Sequence, residues 1–330
     1  MFENLPKRVK VVEVGPRDGL QNEAKTVKTQ DKVRLIEALA QAGLTNIEVT
    51  SFVSPKWIPQ LADGLKVANS LRLPMGVKVS ALVPNLKGYE SAKQAQIDEI
   101  AVFMSATETH SKKNINKGIA EALDQVKQVT QAAKQDGKLV RAYLSVVFEC
   151  PYEGKVAPEK VVTLCQQLLE LGVDEISLGD TIGAATPKDV LGLVQGLKEK
   201  VKPEKLALHF HDTRGTALAN VIAGLEAGVT TFDASIGGMG GCPYAPGAAG
   251  NLATEDLVYL LDSLGIESGV DLKRLTSCGR LAEEILGKQL PGRYLRSVLA
   301  GRKTAGGAIQ KSEEQDAVES INDALRGLFR

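Results

Sequence analysis

Short runs of β-branched and other apolar residues alternate with longer stretches of helical period along most of the chain. "VKVVEV" (9–14) precedes "DKVRLIEALAQAG" (31–43), where Val33, Ile36, Leu39 and Ala40 form an apolar stripe ending at Gly43. Further strand-like runs lie at 46–52, 77–83, 99–105, 139–148, 175–180, 206–211 and 231–236. The clearest helical segments between and after them are 60–71, 114–136, 158–171, 187–201, 215–227 and 254–265. The runs are apolar nearly throughout, as parallel strands covered on both faces must be. Eight such strand–helix units predict an α/β fold closed into a TIM (β/α)8 barrel with a C-terminal helical extension. An open doubly wound sheet is the alternative, but it would carry a glycine fingerprint after its first strand, and "GPRDGLQNE" lacks that spacing. Beyond residue 290 the pattern stops. The barrel and its closing helix are expected over residues 1–299. Residues 300–330 read as a linker, "AGRKTAGGAIQK", then an amphipathic helix at 312–329 with Val318, Ile321, Leu325 and Leu328 on its apolar face. That tail is expected to pack on the barrel or on a neighbouring subunit.

Barrel chemistry sits at the C-terminal ends of the strands. There the first predicted strand carries Arg17 and Asp18, and the second Glu48, Thr50 and Ser51. The fifth ends in Glu149 and Cys150, the sixth in Asp180 and Thr181, and the seventh in His209, His211 and Asp212. His209 and His211 alternate on one strand, so they share a face, roughly 6.6 Å apart along it. Two imidazoles so placed can reach one ion at about 2.0–2.2 Å. Asp18, one strand away around a closed ring, can complete a mixed nitrogen–oxygen site. A set without thiolate favours Mg²⁺ or Mn²⁺ over structural zinc. Arg17 can pair with a carboxylate, Glu48 or Asp180, or stabilise an oxyanion forming beside the metal. Cys242 lies in the glycine-laden loop "GGMGGCPYAPGAAGN" (237–251), which has the make-up of an active-site lid, and a thiol there can give or take a proton. The second "CP" thiol, Cys150, is its rival.

Composition narrows the partners. With 330 residues, 43% of them apolar, the chain can bury a large core. Its 40 basic and 40 acidic residues leave no net charge, which argues against nucleic acid or an anionic membrane as partner. No apolar run has the length of a membrane span. The opening "MFENLPKRVKVVEV" has charges where an export signal needs its hydrophobic stretch, so a cytoplasmic location is expected. The four cysteines, Cys150, Cys165, Cys242 and Cys278, form no close pair and are expected as reduced thiols.

Five stretches together carry a resemblance: "VEVGPRDGLQNE" (12–23), "IEVTSFVSPKWIPQLAD" (47–63), "ISLGDTIGAATP" (176–187), "LHFHDTRGTALAN" (208–220) and "GGCPYAPGAAGNLATEDLVYLL" (240–261). Over roughly residues 6 to 290 the chain resembles the hydroxymethylglutaryl-CoA lyase family, bacterial members most of all. The Arg-Asp pair and HxH are common to a wider superfamily of metal-dependent barrels. The cysteine loop running into "GN" is far more specific.

The resemblance implies retro-Claisen cleavage of 3-hydroxy-3-methylglutaryl-CoA to acetyl-CoA and acetoacetate, the usual setting being leucine breakdown and ketone-body formation. It implies Asp18, His209, His211 and Asn251 as ligands of a divalent cation, with no organic cofactor beyond the substrate's own CoA. Arg17 matches the residue that stabilises the enolate, and Cys242 the one that helps protonate it. His209 and Asp18 are the candidates for taking the hydroxyl proton, with Glu48 and Asp180 in support and Gln21, Ser51 and Thr181 as substrate contacts. For the CoA phosphates, "HSKKNINKG" (110–118) offers Lys112, Lys113 and Asn114, expected at a helix start. A homo-oligomer, a dimer, is expected. Animal members carry a cysteine near the C-terminus that links subunits, whereas no cysteine follows Cys278 here. Three alternatives remain at this point. One is a lyase for a longer, isoprenoid-branched glutaryl-CoA. Another is a Claisen-condensing acyl-CoA synthase, whose loop carries glutamate instead of cysteine. The third is a metal-binding barrel without turnover.

Overall fold

The computed structural model describes residues 5–241 and 250–304. Its strands, in chain order, are β1 (Lys10–Glu13), β2 (Asn46–Ser51), β3 (Lys78–Leu82), β4 (Glu99–Ser105), β5 (Leu139–Ser145), β6 (Glu149–Cys150), β7 (Gly154–Lys155), β8 (Glu175–Asp180), β9 (Leu206–Phe210) and β10 (Thr231–Ala234). β6 and β7 form a small antiparallel hairpin, and the other eight are parallel and close into a barrel. Closure is made by β1, which pairs with β2 at Glu13↔Ile47 and with β10 at Val11↔Phe232. The open-sheet alternative is thereby excluded. Around the ring lie α1 (Thr29–Gln41), α2 (Gly64–Ser70), α3 (Leu86–Ala92), α4 (Glu108–Ile115), α5 (Ile119–Gln135), α6 (Pro158–Glu170), α7 (Pro187–Lys198), α8 (Ala217–Glu226), α9 (Thr254–Ser263), α10 (Leu272–Leu286) and α11 (Arg293–Thr304). No helix among the described residues is long and apolar enough to cross a membrane.

Three expectations need correction. The fifth strand stops at Ser145 instead of running to 148, because Val146 has φ 55°, a left-handed backbone that cannot continue a strand. Glu149 and Cys150 therefore sit on the hairpin. The single helix expected over 114–136 is two, α4 and α5, divided by the left-handed Asn116. Lys112, Lys113 and Asn114 thus occupy the last turn of α4, not a helix start, and offer no free backbone N–H groups to phosphate. Finally, α11 runs through the boundary expected at residue 299. The tail helix expected at 312–329 lies outside the described residues.

The strands separate two kinds of interior. Val140, Ala142 and Leu144 of β5 join Ile176 and Leu178 of β8 and Leu206, Leu208 and Phe210 of β9 in one apolar layer against the helices. Val33, Ile36, Leu39 and Ala40 meet that layer from α1, as their spacing requires. Residues of opposite parity point into the barrel. Some form a small apolar group, Leu82, Ala101 and Tyr143. Others are charged and buried, among them Glu48, Arg141, Glu175 and Asp233. The space inside the ring is therefore filled largely by hydrogen-bonded polar groups.

Gly43, which ends α1, has φ +99°, and a Cβ there would collide with the Gly269 carbonyl oxygen. Gly137, with φ +71°, has nothing within 4 Å of the same position. Gly137→Ala should therefore show only the left-handed penalty, about 1–2 kcal/mol, while Gly43→Ala adds a backbone clash. The larger fall in melting temperature is expected for Gly43→Ala, and equal falls would contradict this packing.

Candidate active site and metal centre

β1 leaves the barrel through one turn of π-helix, Gly15–Gly19. The Val14 carbonyl accepts the N–H groups of Arg17, Asp18 and Gly19 at 3.1, 2.7 and 3.3 Å, which winds the turn tightly. Pro16 supplies a helical φ at its start. The outcome aims Arg17 into the barrel mouth. Its Nε donates to Glu48 Oε2 at 2.7 Å and Nη1 to Asp18 Oδ1 at 2.5 Å, and its guanidinium carbon lies 5.1 Å from the centre of the Tyr143 ring. The Tyr143 hydroxyl donates to the same Glu48 oxygen at 2.9 Å.

The two histidines stand where their spacing puts them, at the exit of β9, with ring centres 5.3 Å apart. His211 bridges to Asn251 across an antiparallel contact, and Asn251 Nδ2 donates to Asp18 Oδ2 at 2.9 Å. Gly240 makes room for this, since a Cβ there would lie 2.6 Å from Asn251 Nδ2. Asp18, His209 and His211 each offer a ligand atom, and the three atoms lie within 4.8 Å of one another. His211 Nδ1 and Asn251 Oδ1 are buried without a hydrogen-bond partner. Unmatched buried lone pairs on a carboxylate–imidazole–amide set are what a divalent cation would satisfy, so the residues present fit such an ion.

The electrostatics prepare the same set. Burial opposes ionisation of Asp18, but Arg17, both histidines and Asn251 outweigh it and hold the carboxyl down at about 2. Burial, and then the neighbouring His209, push His211 down to about 4, which keeps its ring neutral and able to bind a metal. Burial also works against a charged His209. There the bond and charge of Asp233, with Asp18 behind, win and raise it. Arg17 pays a desolvation cost that Glu48 and Asp18 more than offset, so it stays charged.

Other expected residues are placed differently. Glu48, not Asp180, holds Arg17. Asp180 is committed to its own loop, accepting from the N–H groups of Ala184 at 2.9 Å and Ala185 at 3.1 Å, and burial raises it to about 6. The Thr181 hydroxyl accepts from Val146 N at 2.8 Å, and that of Ser51 from Val53 N at 3.1 Å, so both support the backbone around the mouth. Gln21 Oε1 is buried and unpartnered. Lys113 lies over the Tyr152 ring, 4.4 Å from its centre. Cys150 is buried, taking a hydrogen bond from Thr107 at 3.1 Å. Cys242 lies outside the described residues. Reading the residues alone missed Asn251, which the resemblance supplied, and also Tyr143, Arg141, Ser177 and Asp233. Their signal was a charged or polar residue at alternate positions of otherwise apolar strands, as in "LVRAYLS" and "TFDASI".

A family model described as HMGL-like matches residues 8–282. The chain belongs to the HMGL-like family. Among its relatives is the hydroxymethylglutaryl-CoA lyase YngG of Bacillus subtilis, 52% identical over 291 residues, which span 88% of this chain and 97% of that one. A 3-hydroxy-3-isohexenylglutaryl-CoA/hydroxymethylglutaryl-CoA lyase of Pseudomonas aeruginosa is 48% identical over 297 residues, 90% of this chain and 99% of its own. A crystal structure of an HMG-CoA lyase from Acinetobacter baumannii, in complex with coenzyme A and 3-methylmalate, superposes with a TM-score of 0.84 at 37% identity, covering 93% of this chain and 98% of that one.

In this HMGL-like chain two further buried acids brace the site from behind. Glu13 Oε1 accepts from Gly15 N at 2.8 Å and Ile236 N at 2.9 Å, and Oε2 from the Thr254 hydroxyl at 2.7 Å. Glu255 Oε2 accepts from Gly237 N at 2.7 Å. Burial raises Glu255 from 4.5 to about 8. A carboxyl with a raised folded pKa binds its proton more tightly when folded. That stabilisation is complete below 4.5 and is lost as pH rises through about 8. Glu255→Gln keeps an acceptor for Gly237 and removes the ionisation. The melting temperature of the variant should fall less than that of the wild type between pH 5 and pH 9, and parallel curves would show that Glu255 ionises without cost.

Proposed function

We propose that this protein is a hydroxymethylglutaryl-CoA lyase, cleaving 3-hydroxy-3-methylglutaryl-CoA to acetyl-CoA and acetoacetate, in a cytoplasmic setting and as part of leucine breakdown. The observation that carries this is the convergence of Arg17, Asp18, His209, His211 and Asn251 at one barrel mouth, in a chain about half identical to lyases of that name. The Acinetobacter baumannii relative, whose structure holds coenzyme A, supports an acyl-CoA as substrate.

Asp18, His209, His211 and Asn251 would hold Mg²⁺ or Mn²⁺, which supplies Lewis-acid polarisation of the substrate's tertiary hydroxyl and carboxylate. The chain's own residues do the rest. A base takes the hydroxyl proton. Asp18, held at about 2, is poorly matched to that task near neutral pH, and His209 can serve only while its Nε2 is not held by the ion. The C2–C3 bond then breaks, its electron pair passing to the α-carbon of the departing acetyl-CoA enolate. Arg17 is positioned by Glu48 to face the charge that develops. Cys242 gives the proton that completes acetyl-CoA. Incubation with 3-hydroxy-3-methylglutaryl-CoA and Mg²⁺ should release acetoacetate. The Pseudomonas aeruginosa relative, named for two substrates, makes longer 3-substituted analogues the necessary comparison, and faster cleavage of an isohexenyl analogue would reverse the assignment.

Arg17→Lys should lower kcat by orders of magnitude with the fold intact. Lysine keeps the charge but lacks the planar fork by which separate nitrogens of Arg17 hold Glu48 and Asp18. Turnover within a few-fold of wild type would make Arg17 structural.

Cys242→Ser should cost about 10²–10⁴-fold in turnover, the usual loss for a general acid. Cys150→Ser, which keeps a small acceptor for Thr107, should retain most activity. The reverse pattern would assign the proton donor to Cys150.

A further inference from the structure

Arg141 lies inside the barrel with 1% of its surface exposed, apart from every residue given a ligand or substrate role. Each of its nitrogens has its own acceptor. Nε donates to Glu175 Oε1 at 2.8 Å, Nη1 to the Tyr143 hydroxyl at 3.1 Å and Nη2 to Asp233 Oδ1 at 2.5 Å. The other oxygen of Asp233, Oδ2, accepts from the Ser177 hydroxyl at 2.8 Å and faces His209 Nδ1 at 3.2 Å.

Asp233 is ion-paired with the Arg141 guanidinium through one oxygen and accepts from the Ser177 hydroxyl at the other, so it is a carboxylate with no proton of its own to give. The hydrogen between Asp233 and His209 must therefore belong to Nδ1. In a neutral ring that leaves the lone pair on Nε2, and Nε2 is the atom 4.0 Å from Asp18 Oδ2. We propose that Asp233, gripped by Arg141 through its far oxygen, is a positioning residue that holds His209 as the Nδ1–H tautomer and turns its Nε2 lone pair toward Asp18. The same guanidinium reaches the other half of the site. Through the Tyr143 hydroxyl it meets Glu48 Oε2, the oxygen on which Arg17 rests. One buried arginine thus orients both a candidate metal ligand and the residue facing the enolate.

The consequence for metal binding rests on the function proposed above; the tautomer itself does not. The first test is therefore ¹⁵N-imidazole NMR of the metal-free, full-length wild type at alkaline pH, where the ring is neutral. With only three histidines, His110→Gln and His211→Ala suffice for assignment. His209 should show a protonated Nδ1 and an unprotonated Nε2, and the opposite tautomer overturns the proposal. The second test is Asp233→Asn. Arg141 donates only, so it would take the amide oxygen and leave the NH₂ facing His209. The ring would then accept at Nδ1 and carry its proton on Nε2. Mn²⁺ affinity, measured by calorimetric titration, should fall about 10–100-fold with the circular dichroism spectrum unchanged. Affinity within threefold of wild type in the folded variant overturns the proposal, and if the variant does not fold the wild-type tautomer decides alone. His211→Ala separates the two readings. Unchanged Mn²⁺ affinity there would remove the metal centre and leave the tautomer result standing.

Discussion

A charge carried into a protein interior must find its acceptors already in place, and the demand made by Arg141 organises the inside of this barrel. Removing one partner from such a set typically costs about 3–5 kcal/mol, because a buried charge is left unmatched. Strand pairing supplies one acceptor, since Arg141 on β5 is in register with Glu175 on β8. Asp233 on β10 is 92 residues away in sequence and comes within reach only across a closed ring. Barrel closure and charge satisfaction therefore depend on each other. An open sheet with the same strands would strand the arginine.

The layering that follows divides the molecule by task. Between strands and helices the packing is apolar and continuous, and it fixes where the strands end. Inside the ring the ion pairs run upward from Lys10 and Glu175 at the closed end, through Arg141 and Asp233, to His209 at the mouth. Such pairs add little net stability, because desolvation consumes most of their Coulombic gain. What they do supply is orientation. Each donor has one acceptor within reach, and the side chains at the top inherit a single geometry from those below.

The periodic features of this architecture were legible in the sequence, and the paired ones were not. Eight apolar runs, a stripe on α1 and an HxH motif each lie within one element, where the alternation of a strand or the turn of a helix settles which side chains share a face. The end of β5 was misread because Val146, a β-branched residue suited to strands, takes a left-handed backbone that local propensity disfavours. The split between α4 and α5 rests on Asn116, one of the few residue types that visits that conformation readily. Asp180 was read as a partner for Arg17 because both sit at strand ends. Its carboxylate instead closes a turn four and five residues further on, a local bond that competes with any reach across the mouth. Asn251 and Asp18 are 233 residues apart. No spacing within the chain encodes that contact.

The charges at the mouth show why a cation suits this place. Glu48 Oε2 accepts from Arg17 and Tyr143 together, and although Arg17 favours its charge, burial wins and raises the carboxyl above its ordinary range. Arg17 reaches both Glu48 and Asp18, and Asp18 is held down at about 2 by Arg17 and by the two imidazoles against the opposition of burial. The two imidazoles divide the remaining roles. His209 leans on Asp233, while His211, pushed to about 4 by burial and by its neighbour, stays neutral and brings no charge of its own. Two identical side chains two residues apart are thus driven in opposite directions by what each faces, as acid and base partners in one site commonly are. Asp18 thus stands beside neutral acceptor atoms, His211 Nδ1 and Asn251 Oδ1 among them, that are buried without a hydrogen-bond partner. A divalent metal ion, positively charged and able to accept lone pairs, fits that arrangement.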